Sequence, residues 1–255
     1  MTGIAASNGD RLRFSVGRVL SYTFSSFFSN FTKFMLLGIA AYAPPIFIWD
    51  ETADYRVILL ARQVLRGDNV TTPLVFSYVV GVVTLIGTFA LIAFTTACII
   101  YGSIETIRYN RVGFRAMILK ATNVFVPVIL ATLLFYVMAA IGLVVFVIPG
   151  VILILMLSAT IPLIVDEQKN PIEAMRQSRD LTRGHRFEIL GGFLVCDVLM
   201  IVVSMVLVFG LIAFGPRAVE IGLTIGAAAF GSVICCFLAS AYVNLRLAKD
   251  GTGIR

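Results

Sequence analysis

The sequence predicts an all-α polytopic membrane bundle of about six transmembrane helices, and three observations lead there. Six apolar stretches are each long enough to cross a bilayer, Lys and Arg gather on alternate connections, and the composition is 59% hydrophobic against 13% charged. The mean hydropathy of +0.98 is foreign to a water-soluble domain. A helix crossing about 30 Å of hydrocarbon takes roughly 20 residues, so a chain of 255 residues holds six spans and their connections as one membrane domain, 1–255.

The first element is an amphipathic segment beginning near Ser15. Val16, Val19, Leu20, Phe24, Phe27 and Phe31 share one helical face, while Arg18, Ser21, Ser25 and Ser29 take the other. The first span follows, Phe31 to Trp49. Ala41-Tyr42-Ala43 imitates a signal-peptide cleavage site, but the region before it runs past thirty residues and has its own amphipathic pattern, so the span reads as uncleaved. A polar loop from Asp50 to Thr72 gathers Asp50, Glu51, Asp54 and Asp68, and the second span covers Pro73 to Tyr101.

A second, shorter surface segment begins near Gly113, with Phe114, Met117, Ile118 and Ala121 opposing Arg115, Lys120 and Thr122. The third and fourth spans, Val124 to Val147 and Gly150 to Ile164, are separated only by Ile148-Pro149-Gly150. A Pro without a donor followed by a permissive Gly predicts a tight reversal at Pro149 and Gly150. A single helix of forty residues would measure about 60 Å, twice the hydrocarbon thickness.

The third surface segment has the best-defined ends. Asn170-Pro171-Ile172-Glu173 supplies a cap residue, a Pro at the first helical position and a Glu able to reach back, and Gly184 supplies the stop. Arg176, Arg179, Arg183 and Arg186 form one basic stripe if the register persists through Gly184, with Ala174, Ser178 and Leu181 facing the other way. Such a helix lies in the interface, its guanidinium groups meeting anionic lipid headgroups. The fifth and sixth spans, Leu190 to Phe214 and Ile221 to Leu245, complete the chain.

Sixteen of the twenty basic residues fall on the side of the amino terminus, against Arg56, Arg62, Arg66 and Arg217 on the other. Positive residues in short connections are retained in the cytoplasm, which places both termini inside. Surface helix plus two spans then occurs three times, beginning near Ser15, Gly113 and Asn170, a threefold repeat carried by hydropathy and by pairs such as Ala116-Met117 and Ala174-Met175. Units of two spans share one orientation, unlike the inverted repeats of many alternating-access transporters.

The net charge of +6 does not point to nucleic acid, because the basic residues adjoin apolar spans and no zinc spacing or aromatic platform accompanies them. Membrane lipids, and other membrane proteins, are the expected partners. Cys98, Cys196, Cys235 and Cys236 all lie within spans and read as small core residues. With His185 as the sole histidine, neither a metal site nor a catalytic dyad assembles, and no cofactor loop is present: Gly191-Gly192 opens an apolar helix and suits close packing. Asp166 and Glu167 read as carboxylates at the membrane surface or as partners of the neighbouring arginines. Asp197, about seven positions into the fifth span, is the one acidic residue well inside the membrane. A carboxylate there costs several kcal/mol unless paired, protonated or hydrated. Either it bonds to Asn244, Thr96 or an arginine, or it serves a small-solute, lipid or proton transporter.

Ile148-Pro149-Gly150, Pro162, Asp166-Glu167, Asn170-Pro171, Glu173-Ala174, Arg176, Ser178 and Leu181-Thr182-Arg183-Gly184 keep an order that resembles the membrane-domain family named after glycerophosphoryl diester phosphodiesterase. Val19-Leu20-Ser21 with Phe24 is similar to its start, and Tyr242-Val243-Asn244-Leu245-Arg246 with Lys249-Asp250-Gly251 to its end. The resemblance implies a bacterial inner-membrane bundle of about six helices. It does not imply the phosphodiesterase reaction, which belongs to a separate soluble barrel domain in some relatives, and no enzyme activity is expected of this chain.

Overall fold

The computed structural model describes residues 14–46, 71–110, 112–145 and 147–250. The regular elements among them are helices: α1 (Val16–Ser29), α2 (Phe31–Ile46), α3 (Thr71–Tyr109), α4 (Phe114–Val145), α5 (Val147–Leu157), α6 (Thr160–Glu167), α7 (Pro171–Thr182), α8 (Arg186–Leu211) and α9 (Pro216–Asp250), with a 3-10 turn at Ile212–Phe214. Five stretches are long and apolar enough to cross a bilayer: Tyr78–Tyr109, Phe114–Val144, Gly150–Glu167, Arg186–Phe214 and Pro216–Lys249. With the shorter apolar α2 they form the expected all-α multi-pass bundle. The predicted acidic loop and the end of the first span lie outside the described residues.

Size and spacing separate what faces the core from what faces lipid. On α4, Met117, Ala121, Val124, Val128 and Ala131 are buried at alternating steps of four and three, while Leu119, Val126, Leu130, Leu133 and Leu134 are exposed. A seven-residue repeat keeps such a seam on one face. Ala93, Ala97, Ile100 and Ile104 continue it on α3, and a Cβ on Gly102 would stand 2.8 Å from Met117 Cε. The second predicted surface segment buries Met117 and Ala121 and exposes Arg115 and Thr122, as its spacing predicts, but it runs on into the third span within the one helix α4 and is not separated from it.

The amino-terminal amphipathic helix is confirmed as α1, but packed into the bundle. Val19 and Phe27 are buried together with Thr23 and Ser26, whereas Ser21, Ser25 and Ser29 are exposed. Phe31 falls outside this face at 48% exposure, because Asn30 ends α1 before α2 begins. Ser26 Oγ donates to Ser103 Oγ at 2.9 Å and Asn30 Nδ2 to Thr106 Oγ1 at 2.8 Å, so polar pairs join α1 to α3 within apolar surroundings.

The reversal between the third and fourth spans is real, but Pro149-Gly150 is not its turn. Helix α4 ends at Val145 and α5 begins at Val147, which puts Pro149 third in α5, where a missing N–H leaves no bond unmade. Gly150 serves as the contact. A Cβ there would lie 2.7 Å from Leu143 N, and one on Gly142 would lie 3.0 Å from Gly150 Cα. Residues eight apart along a straight helix would be separated by about 12 Å.

The returning span is itself broken at Ser158-Ala159, between α5 and α6. Pro162 is the cause, since its ring collides with the carbonyl four residues back, that of Ser158. Ser178 from α7 repairs the gap: its Oγ donates to Met156 O at 2.7 Å and accepts from Ala159 N at 3.2 Å. Ser158 Oγ donates to Leu155 O at 2.8 Å.

Candidate functional site

The most elaborate polar assembly lies where α3, α6 and α9 meet. Helix α6 closes on Asp166 and Glu167, and Gln168 at φ 55 turns the chain away. Arg108, in the last turn of α3, presents both terminal nitrogens to the two Asp166 oxygens at 2.7 Å each. Tyr242 of α9, only 1% exposed, donates its hydroxyl to Asp166 Oδ2 at 2.8 Å and lies 3.0 Å from Glu167 Oε1. One turn further along α9, Arg246 pairs with Glu167.

Lys169 extends the network to α7. Its Nζ is 2.9 Å from Glu167 Oε2 and 4.0 Å from Glu173 Oε1, and it also donates to Gln177. Arg108, Lys169 and Arg246 thus balance Asp166, Glu167 and Glu173. The bidentate fork is the strong form of this interaction, and the Arg108 and Asp166 side chains are each only 16% exposed. Carboxylates committed to cations on three sides serve as a fastening between helices. The expectation that Asp166 and Glu167 pair with neighbouring arginines is corrected: their arginines, Arg108 and Arg246, come from other hairpins.

The basic stripe does not form as predicted. Helix α7 ends at Thr182, Arg183 turns extended at ψ 124, and Gly184 at φ +96 breaks the register. Arg176, Arg179 and Arg183 are exposed, but Arg186 starts α8, is half-buried, and its Nε has no hydrogen-bond partner. The opposite face is as expected, with Ala174 and Ser178 at 0% and Leu181 at 5% exposure. The predicted capping box is absent: Pro171 does take the first position, but Asn170 makes no side-chain cap bond and Glu173 reaches Lys169.

Asp197 sits half-buried on α8, and its Oδ1 accepts no hydrogen bond. Asn244, an expected partner, donates to Ser240 O at 3.2 Å instead. All four cysteines are free and buried, as a core role requires. Gly192 permits the close packing expected of it, since a Cβ there would be 2.8 Å from Phe237 Cε2. His185 lies 2.8 Å from Glu188 Oε2 and stacks on Phe14 at 5.3 Å.

Sequence reasoning did not single out Arg108, Tyr242 or Arg246 as site residues: it met the two arginines in the charge bias of the connections, and Tyr242 through the resemblance, which also includes Arg246. A signal was available. An acidic pair flush with the end of one span calls for cations at the same depth, and Arg108 and Arg246 stand at the corresponding ends of the second and sixth spans.

No curated protein and no solved structure matches the chain. A family model does, from the middle of α4 to Leu245, a stretch that includes the reversal, Ser178, the acidic pair and Tyr242 while leaving out α1 and Arg108. The match is to a membrane domain and not to a catalytic one. Over residues 130–245 the chain matches the membrane domain of glycerophosphoryl diester phosphodiesterase, and the resemblance carried by Pro149 to Gly184 stands.

Proposed function

We propose that this chain is a non-enzymatic multi-pass protein of the bacterial inner membrane, both termini inside, that organises contacts with anionic lipid or other membrane proteins through α7. The observation that carries this reading is the division of α7: Ala174, Ser178 and Leu181 are buried on the bundle, while Arg176, Arg179 and Arg183 stand exposed. Exposed guanidinium groups beside a bilayer-spanning bundle suit phosphate, which they grip in a planar fork. The basic bias of the connections supports the orientation, and the mutual engagement of Arg108, Asp166, Glu167 and Arg246 supports a scaffold over chemistry.

The test is lipid retention by the whole protein after mild detergent extraction from vesicles of mixed phosphatidylglycerol and phosphatidylcholine. Wild type is expected to keep phosphatidylglycerol preferentially, and Arg176→Gln/Arg179→Gln/Arg183→Gln to lose that preference with its melting temperature unchanged. Equal retention of both lipids by wild type would sink the reading.

A second reading, transport of a small solute, lipid or proton, is favoured by one observation, the unpaired Oδ1 of Asp197. An uncompensated carboxylate at that depth is expensive. Asp197→Asn is then expected to abolish flux in reconstituted vesicles while preserving the fold. Unchanged flux in both Asp197→Asn and Asp197→Leu would remove that residue from any transport path.

A further inference from the structure

Between α4 and α7 lies an open groove of about 580 Å³, within the roughly 300–1,000 Å³ usual for small-molecule sites. One wall is Leu130, Leu133 and Leu134, which share a face of a bilayer-spanning helix and are 47%, 50% and 38% exposed. The other is the first turn of α7, with Ile172 at 69% exposure and Arg176 one turn on. Side chains four apart on a helix are neighbours, so an apolar and a cationic group stand side by side on that wall. Glu173 also lines the groove, with Lys169 Nζ 4.0 Å from its carboxylate, and Arg176 is the cationic side chain of the lining.

We infer that this groove seats one glycerophospholipid, with an acyl chain along Leu130, Leu133 and Leu134 and the phosphate at Arg176. The inference rests on the lipid-contact reading of α7 and makes it specific. The bilayer is the source of the occupant, because a wall of three leucines on a membrane span rewards a hydrocarbon chain and gives a soluble anion nothing to bury. The polar mouth selects the headgroup. Arg176 meets a phosphate with charge-assisted hydrogen bonds, and the uncapped start of α7 adds its positive end to the same mouth.

The experiment uses the full chain, extracted in mild detergent, delipidated, titrated with dioleoyl phosphatidylglycerol and read by native mass spectrometry. One lipid is expected to bind well above the rest. Leu133→Trp fills the groove from an exposed position and should abolish that single adduct while melting like wild type. Leu130→Trp repeats the block from the same face should Leu133→Trp prove unstable. Arg176→Gln should weaken the adduct about tenfold, the loss of a charged hydrogen bond, whereas Arg217→Gln, in the first turn of α9, should leave it intact.

Any one of four results would overturn the inference. The adduct could survive Leu133→Trp and Leu130→Trp, glycerol phosphate could compete as well as the intact lipid, or a photo-crosslinker at Leu134 could capture a polypeptide in membranes. A preference for phosphatidylglycerol that persists without any single tight adduct defeats the groove while leaving the broader reading of α7 in place.

Discussion

Asp166→Ala is expected to lower the stability of the detergent-solubilised protein by about 3–5 kcal/mol, the cost of removing one partner from a largely buried ion pair. The size follows from what is stranded. Arg108 would lose both 2.7 Å contacts with its side chain only 16% exposed, and the Tyr242 hydroxyl would lose its closer acceptor. An exposed pair would be worth less than about 1 kcal/mol, so burial decides the magnitude. The double variant Asp166→Ala/Arg108→Leu should recover part of the loss, because it removes the uncompensated charge as well. Chemical denaturation read by tryptophan fluorescence and by helicity checks both. A single-variant change below about 0.5 kcal/mol, as for an ordinary surface substitution, would show that the network does not fasten the helices.

Gly150→Val is the second large effect, a loss of about 1–3 kcal/mol or more from overpacking. The atoms that a Cβ would strike, Leu143 N at 2.7 Å and Gly142 C at 2.8 Å, are backbone, so no rotamer change relieves the contact and the two helices must part. Gly142→Ala should cost less, because one of its two nearest neighbours, Leu153 Cδ1 at 3.0 Å, is the end of a flexible side chain. Gly191→Ala is the control: nothing lies within 4 Å of its added methyl, and alanine favours a helix over glycine by about 1 kcal/mol. Melting temperatures that fail to rank Gly150→Val below Gly142→Ala, and Gly142→Ala below Gly191→Ala, would contradict the close approach of α4 and α5.

The helices and their order were legible because hydropathy is a local property, readable along one segment. So was the buried face of α7, where Ala174, Ser178 and Leu181 recur at helical spacing. What escaped was whatever depends on a second segment. Phe114 to Ala121 has the periodicity of a surface helix, but that it continues into the third span within one helix, and meets Gly102 of α3 through Met117, was not readable from the segment alone. The break ahead of Pro162 was not anticipated in the Gly150 to Ile164 span, and its repair by Ser178 comes from a residue sixteen positions later. The arginine stripe failed at one glycine, since Gly184 permits a left-handed φ that ends the register before Arg186. The ionic network combines residues from three hairpins whose common depth is set by the fold, so its members look unrelated along the chain.

The joint at Ser158-Ala159 makes α7 something other than a tethered float. Lifting it would strip Met156 and Ala159 of the one hydroxyl that serves both, and orphaned backbone groups in hydrocarbon cost several kcal/mol. Arg176 and Arg179 are consequently held at a set height above a hinge-like kink, as on a pallet bolted to its beam. A displacement of α7 is thereby tied, through Ser178, to the backbone of Met156 and Ala159 in the middle of the Gly150–Glu167 span.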